Sequence, residues 1–400
     1  MKTGWEVKSI GDFCTLNTGG TPKRSESEYY ENGKIKWLVS GDIHKKEIDD
    51  CEGRITELGL EKSNARYLPL NSIMIALNGQ GKTRGTVAML RTNATCNQSL
   101  VSISPNDPEA VIPEYIFANL RGRYEEIRKM TGDTGNDRRG LNMPLIRSIK
   151  IPIAPIEEQK RIVAILDEAF AGLDRARAHT EANLQNARDL FESVLASVFE
   201  TEASEFEVKR LDDICDVRDG THDSPKYVSE GVPLVTQKNV RDEGLTFNKC
   251  KNISLADHEK IHKRSNVSEG DILISMIGVN RGMTCLVDVP DVFSIKNVGL
   301  IKQTDEFNMN YLLYYLKSRP ALEYVSAETN GGAQPFIGLK KLRAFPVAYA
   351  PIKSQNMSVS FLDGAKGESD KLITLYKAKL TDLDDLRQSL LQKAFAGKLT

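Results

Sequence analysis

Two stretches of the chain differ from the rest in their hydrophobic rhythm. From about 157 to 199 there is no proline, and apolar or small residues return at steps of three and four: Ile162, Ile165, Ala169, Leu173, Ala176, Thr180, Leu184, Ala187, Leu190, Val194 and Val198. That spacing lays a seam along one face of a helix, roughly 60 Å long at 1.5 Å per residue. A second stretch has the same character at Leu362, Ser369, Leu372, Tyr376, Leu380, Leu383, Leu386 and Leu390. A solitary helix of this length would expose its seam, so the two are expected to pack on each other as a coiled coil. The alternative is that each packs on its own lobe, and each seam outruns what a lobe of roughly 150 residues could cover.

The rest of the chain mixes brief β-branched runs with Gly/Asn/Asp turns and few long helices, which predicts an α+β fold rather than a doubly wound sheet. The pattern is written twice. Trp5-Glu-Val-Lys-Ser-Ile-Gly-Asp12 is echoed by Phe206-Glu-Val-Lys-Arg-Leu-Asp-Asp213, 201 residues on. Lys36-Trp-Leu-Val-Ser-Gly-Asp-Ile43 answers to Val232-Pro-Leu-Val-Thr-Gln-Lys-Asn-Val240. The runs Ser72–Ala76 and Asp271–Ser275 each lead into a glycine loop that ends in Arg-Gly. Leu190–Phe199 aligns with Leu386–Phe395 at an offset of 196. Two tandem lobes are therefore expected, at 1–155 and 201–352, each followed by a long helix, at 156–200 and 353–400.

Composition narrows the class. Of 400 residues, 40% are hydrophobic and 27% charged, as in a soluble globular protein. No run approaches the roughly 20 apolar residues of a membrane helix, and the opening Met1–Trp5 lacks a signal-peptide core. The six cysteines are scattered singly, which argues for a reducing cytoplasm and against a disulfide or zinc framework. The net charge of −1 lacks the basic footprint usual for nucleic-acid binding. However, the acid excess sits in the first helix, which carries 11 Asp+Glu against 5 Lys+Arg over residues 156–205. The first lobe carries 22 Lys+Arg against 19 Asp+Glu, and the second is balanced.

Catalytic motifs fail. Ala76-Leu-Asn-Gly-Gln-Gly-Lys-Thr83 fits a relaxed P-loop, which would make Lys82 a phosphate ligand of an NTPase. A P-loop must open a helix, though, and Arg84–Leu90 is β-prone; the duplicate loop Met276–Gly282 also has no Gly-Lys-Thr. A β-hairpin loop presenting Lys82 and Arg84 fits better. His258 and His262 could share a helix face, but no third ligand is nearby, so a solvated pair is expected. Ser224-Pro-Lys-Tyr227 lacks the second proline of an amino-methyltransferase motif.

What remains is a set of loops rich in Gly, Asn, Gln, Lys and Arg at matching places in both lobes. Asn and Gln can pair bidentately with adenine, Arg and Lys with guanine, and glycine permits close approach to phosphate. The candidates in the first lobe are Thr18, Gly19, Gly20, Thr21, Lys23, Arg24, Asn78, Gln80, Lys82, Arg84, Arg138 and Arg139. Those in the second are Thr221, His222, Lys226, Gln237, Lys238, Asn239, Asn280, Arg281 and Gln334. A two-lobed protein-recognition scaffold is the rival that near-zero charge would suit.

With Trp5–Asp12, Ile151-Pro-Ile-Ala-Pro-Ile-Glu-Glu-Gln-Lys-Arg-Ile-Val163 and Leu390-Leu-Gln-Lys-Ala-Phe-Ala-Gly-Lys-Leu399, the layout resembles the specificity subunit of type I restriction-modification enzymes over essentially the whole chain. The resemblance implies that each lobe is a target recognition domain reading one half of an asymmetric, bipartite duplex DNA site. It implies that the helices form an antiparallel coiled coil that sets the gap and docks two modification (methyltransferase) subunits. Restriction/translocase subunits would join that core, with S-adenosylmethionine, ATP and Mg on the partners and no cofactor or catalysis in this chain. Coiled-coil and partner contacts would fall on Glu157, Glu158, Gln159, Leu166, Leu173, Leu184, Leu190, Leu195, Leu372, Leu380, Leu383, Leu390 and Phe395. Lys353-Ser-Gln355 departs from the Glu-Glu-Gln that the family favours, so the second helix start is expected to make different contacts.

Overall fold

Turn residues bracket each apolar run, and this is what makes the runs strands rather than helix segments. The computed structural model describes residues 2–79, 81–131, 140–278, 280–290, 292–329 and 336–399. The chain divides into two units, Met1–His179 with Lys379–Thr400, and Thr180–Ala378. In the first, a five-stranded sheet runs Cys14–Thr18, Leu100–Pro105, Ile73–Ala76, Val87–Leu90, Glu47–Ile48. A three-stranded sheet runs Arg54–Ile55, Ile35–Leu38, Thr95–Cys96, and a ribbon pairs Glu6–Ser9 with Lys150–Ile153.

The second unit repeats the scheme. Its main sheet runs Val217–Asp219, Val298–Ile301, Ile272–Ser275, Thr284–Leu286, and its ribbon pairs Val208–Arg210 with Pro346–Ala348. At the same place in both lobes one strand pair is parallel: Ile35–Leu38 with Thr95–Cys96, and Val232–Thr236 with Ser294–Lys296. The fold is α+β, as the pattern implied. The ladders give one sequence match its register. Leu38 lies opposite Cys96 and Val235 opposite Ile295, so Leu38 corresponds to Val235 rather than Leu234. The turn that follows agrees, since Asp42 accepts from Val39 N–H and Asn239 from Thr236 N–H, both at 2.9 Å.

The long helices run Ile156–Glu205 and Ile352–Phe395, and they pair antiparallel. In the first unit Arg177 meets Asp384 and Arg387 meets Asp174. In the second, Ser369 Oγ donates to the Ala187 carbonyl (2.7 Å) and Ser358 Oγ to Glu202 (2.5 Å). Partner numbers fall along one helix as they rise along the other. The seam also faces the lobes, which the helix-on-helix expectation left out. Ile162, Leu166, Phe170 and Leu173 of the first helix and Leu391 and Ala394 of the second join Ile10, Tyr115 and Leu120 in one core. Leu195, Phe199, Val359 and Leu362 join Tyr311, Leu316 and Phe345 in the other. Phe395 sits edge-on to Tyr115 with centroids 5.2 Å apart, and Phe199 to Tyr311 at 5.3 Å. Each helix therefore ends on the lobe it does not follow.

The helix starts are locked from inside. Gln159 is fully buried; its Oε1 accepts from Ile112 N–H (3.1 Å) and its Nε2 donates to the carbonyls of Ala110 (2.9 Å) and Ala154 (2.7 Å). Gln355 repeats this, accepting from Asn308 N–H (2.8 Å) and donating to the Ala350 carbonyl (2.7 Å). Contrary to the expectation of a partner contact at Gln159, and of a different arrangement at the second helix start, the glutamine of each is spent within its own unit in the same way. Beside it, Trp5 Nε1 donates to Glu158 Oε2 at 2.9 Å, and Lys2 also reaches Glu158. The second copy has Phe206 and Ser354 at these places, so donor and acceptor are absent together.

Both tryptophans, Trp5 and Trp37, belong to the first unit, so indole fluorescence reports on it. Gln159→Ala would strand the buried Ala154 carbonyl and remove the partner of two part-buried groups, Ile112 N–H and the Ala110 carbonyl, the buried one costing about 1–3 kcal/mol before relaxation. The expected loss is about 2–4 kcal/mol, read as an earlier indole transition in urea. Gln355→Ala should move that transition less.

Candidate nucleic-acid interface

After the first main-sheet strand of each lobe, the chain passes over the parallel strand pair so closely that only glycine fits. A Cβ on Gly19 would lie 1.7 Å from the Cys96 carbonyl oxygen, and one on Gly220 would lie 2.1 Å from that of Ile295. In the first lobe Thr18 Oγ1 donates to the Leu100 carbonyl (3.0 Å) and Trp37 Nε1 to the Gly20 carbonyl (3.0 Å). Thr21 Oγ1 then meets Gln98 Oε1 at 2.6 Å. Lys23 and Arg24 follow, both exposed, with Lys23 paired to Glu26 at 2.8 Å.

In the second lobe Thr221 bridges to Lys296, and His222 stands between Asp219 Oδ2 (2.9 Å) and Asn297 Oδ1 (3.0 Å). Asp219 is buried and also accepts from Arg264 Nε at 2.9 Å. Lys226 is exposed. Gln98, Asn297 and Arg264 were not singled out from sequence. No motif marks them, but Gln98 and Asn297 lie between matching apolar runs of the two copies.

The glycine loops correct two expectations. Residues 77–86 join Ile73–Ala76 to Val87–Leu90 as an antiparallel hairpin, with Ile75 opposite Val87, so a strand stands where a P-loop needs a helix. Asn78 and Lys82 are exposed there, and Tyr124 Oη donates to the Lys82 carbonyl at 3.1 Å. Arg84 is only 9% exposed, so it is not presented as expected. Arg281 is half-buried and turns back to the Gly278 carbonyl (3.4 Å), while Asn280 is half-buried beside it. Asn239 is likewise inward. Its Oδ1 serves Thr236, and its Nδ2 donates to the carbonyls of Thr246 (2.9 Å) and Asn248 (3.3 Å). That amide shapes the turn, leaving half-buried Gln237 and exposed Lys238 to face outward. Gln80, Arg138, Arg139 and Gln334 lie outside the described residues.

A family model described as the type I restriction modification DNA specificity domain matches residues 2–184 and again 203–380. The chain belongs to this family. It is a DNA-recognition subunit of the type I restriction-modification kind, with two target recognition lobes. The EcoR124I/EcoR124II specificity subunit of Escherichia coli is 31% identical over 41% of this chain and 40% of its own length. The MjaIX specificity subunit of Methanocaldococcus jannaschii is 23% identical over 99% of this chain and 93% of that one. Among solved structures, a chain from work on complex assembly and conformational transition of the type I R-M system shares the fold. Its TM-score is 0.79 at 19% identity, over 100% of this chain and 99% of that one. The HsdS subunit of Thermoanaerobacter tengcongensis does so at TM-score 0.61 and 20% identity, over 100% and 98%.

Elsewhere in this specificity subunit, the chemistry matches recognition. The six cysteines are unpaired, and burial pushes the Cys14, Cys96 and Cys215 thiols up to about 12, away from nucleophilic thiolate. His258 is buried and bonded to Ser294 Oγ at 2.9 Å, not solvated as expected; burial, then nearby His262, lowers its pKa. Among the described residues no cluster of His, Cys, Asp and Glu could hold a metal, and no helix is long and apolar enough to cross a membrane.

The partner candidates on the helices divide by burial. Leu166, Leu173 and Leu195 are in the cores, and Leu383, Leu390 and Phe395 pack partly against the first. Leu184, Leu372 and Leu380 are half-buried, Glu157 is exposed, and Leu190 is 55% exposed. Leu386, its counterpart 196 residues on, is 49% exposed.

Lys82 and Arg84, two residues apart, should behave differently. Lys82→Ala is expected to weaken binding evenly across DNA sequences and reduce the salt slope by about one. Arg84→Ala is expected instead to lower stability by about 1–3 kcal/mol. Salt titrations of affinity beside thermal melts would separate them.

Proposed function

We propose that each lobe reads one half of a bipartite, asymmetric duplex site, and that the paired helices set the gap between the halves and dock two modification subunits. Restriction/translocase subunits join that core. In this reading the chain catalyses nothing and binds no cofactor. S-adenosylmethionine, ATP and magnesium serve the partner subunits, in the cytoplasm. The observation that carries the reading is one framework present twice, its four shared main-sheet strands in the same order, with unlike side chains on matching loops.

Further support comes from the helices. Each is continuous, over 50 and 44 residues, which at 1.5 Å per residue makes each a rod of roughly 65–75 Å. Leu190 and Leu386 offer the same exposed leucine at matching helix positions, which suits two copies of one partner. The relatives' names as subunits of restriction enzymes support the partner list.

Replacing residues 1–155 by the lobe of another family member should change one half-site and leave the other intact, read by mapping methylated sites in cells that carry the assembled system. A change in both halves would end lobe independence. Inserting one turn into both helices at facing positions should alter the gap with both half-sites kept; an unchanged gap would remove the helices as the ruler.

A further inference from the structure

If the two lobes read different words with one framework, their base-reading residues must occupy the same framework position and differ in kind. This step rests on the two-half reading above. The glycines that cross the parallel strands supply a fixed reference, Gly19 against Cys96 and Gly220 against Ile295. Two residues past each glycine stand Thr21 and His222. Each touches an amide on the turn leaving that same strand: Gln98, between Thr95–Cys96 and Leu100–Pro105, and Asn297, between Ser294–Lys296 and Val298–Ile301.

The geometry at the two places is parallel. Thr21 Oγ1 holds Gln98 Oε1 at 2.6 Å, and His222 Nδ1 lies 3.0 Å from Asn297 Oδ1. The first loop is braced by Trp37 on the Gly20 carbonyl, and the second by Asp219, which ties His222 to Arg264. Among the described residues neither amide nitrogen makes a hydrogen bond within the protein. An oxygen held in place, by the Thr21 hydroxyl in one lobe and by the Nδ1–H of a doubly protonated His222 between Asp219 and Asn297 in the other, and a nitrogen left open form the donor–acceptor fork that matches adenine N7 and N6 in the major groove. Cations stand alongside for phosphate: exposed Lys23 and Arg24 in one lobe, and in the other exposed Lys226 with half-buried Lys296, whose Nζ bonds Ser224 Oγ.

A turn requirement could explain Asn297 by itself, because its φ of 54° is the left-handed conformation that asparagine tolerates. Gln98 has no such backbone, yet the amide recurs. Bracing alone is also a weak account, since each bond leaves the amide's other arm unused.

We infer that Gln98 and Asn297 are the base-reading residues of the first and second lobes, each directed at an adenine, and that Thr21 and His222 position their amides. The test uses the full chain in its assembled complex, with half-site preferences selected from randomised duplexes. Gln98→Ala should lower affinity for the preferred site roughly 5- to 100-fold and relax one position of one half-site. Asn297→Ala should do so in the other half. The isosteric Gln98→Glu and Asn297→Asp cover any loss of folding. Each keeps the oxygen but not the donor, and should shift that position from adenine towards cytosine. Thr21→Val should blunt discrimination at the Gln98 position, and Thr21→Ser should restore it.

Unchanged base preferences in Gln98→Glu and Asn297→Asp would overturn the inference, as would an even loss of affinity over all sequences. If lobe replacement still moves one half-site while these variants move none, this assignment fails and the two-half reading stands. If Gln98→Glu alters both halves, the two-half reading fails as well.

Discussion

Each long helix carries more apolar seam than the lobe it follows can bury, and the arrangement of each unit follows from that excess. At ~25 cal/mol per Å² an exposed seam would forfeit several kcal/mol. The excess is covered by dividing each helix between the two units. The first part of the Ile156–Glu205 helix lies in the first core, and Leu195 and Phe199 near its end lie in the second. The Ile352–Phe395 helix is divided the opposite way, with Val359 and Leu362 in the second core and Leu391 and Ala394 in the first. Antiparallel pairing is what makes this possible, because it brings the start of one helix beside the end of the other within each unit.

Once a core draws on both helices, the helix starts must be held at a set angle. Gln159 and Gln355 do this from inside, and Tyr115 and Tyr311 receive the far ends through Phe395 and Phe199. Residues that resembled partner contacts in the sequence are thus consumed by the unit's own closure. What the helices leave outside is a small set that includes Leu190 and Leu386. An exposed leucine at two matching positions is a feature that closure alone does not require.

Much of this was legible in the sequence for a physical reason. Periodicity reports which residues turn inward, and duplication doubles the signal. The helices, the two lobes and the α+β character follow from those two observations. Periodicity does not name what an inward residue meets. Phe170, four residues past Leu166 and three before Leu173, fell within the spacing, yet nothing along the chain says that Arg387 would lie over its ring at 4.8 Å. Loop chemistry was less legible still. Arg84 and Asn239 have the right composition for DNA contact, but a short hairpin and a tight turn draw their side chains inward. Composition lists which groups could reach a base; only the backbone path decides which of them do.

The two copies also show how recognition can change without loss of stability. In the framework, replacements come as matched sets: Trp5 with Glu158 in one copy, Phe206 with Ser354 in the other. Losing Glu158 alone would leave the buried Trp5 indole N–H without its acceptor, at about 1–3 kcal/mol. On the loops, Thr21 stands where the second copy has His222, and the strands beneath keep their order. The strand crossing at Gly19 and Gly220 separates the two regimes. Below it, packing permits only coupled change across the core; above it, a loop side chain changes with the few groups it bonds, as His222 with Asp219 and Asn297, while the strands beneath are untouched.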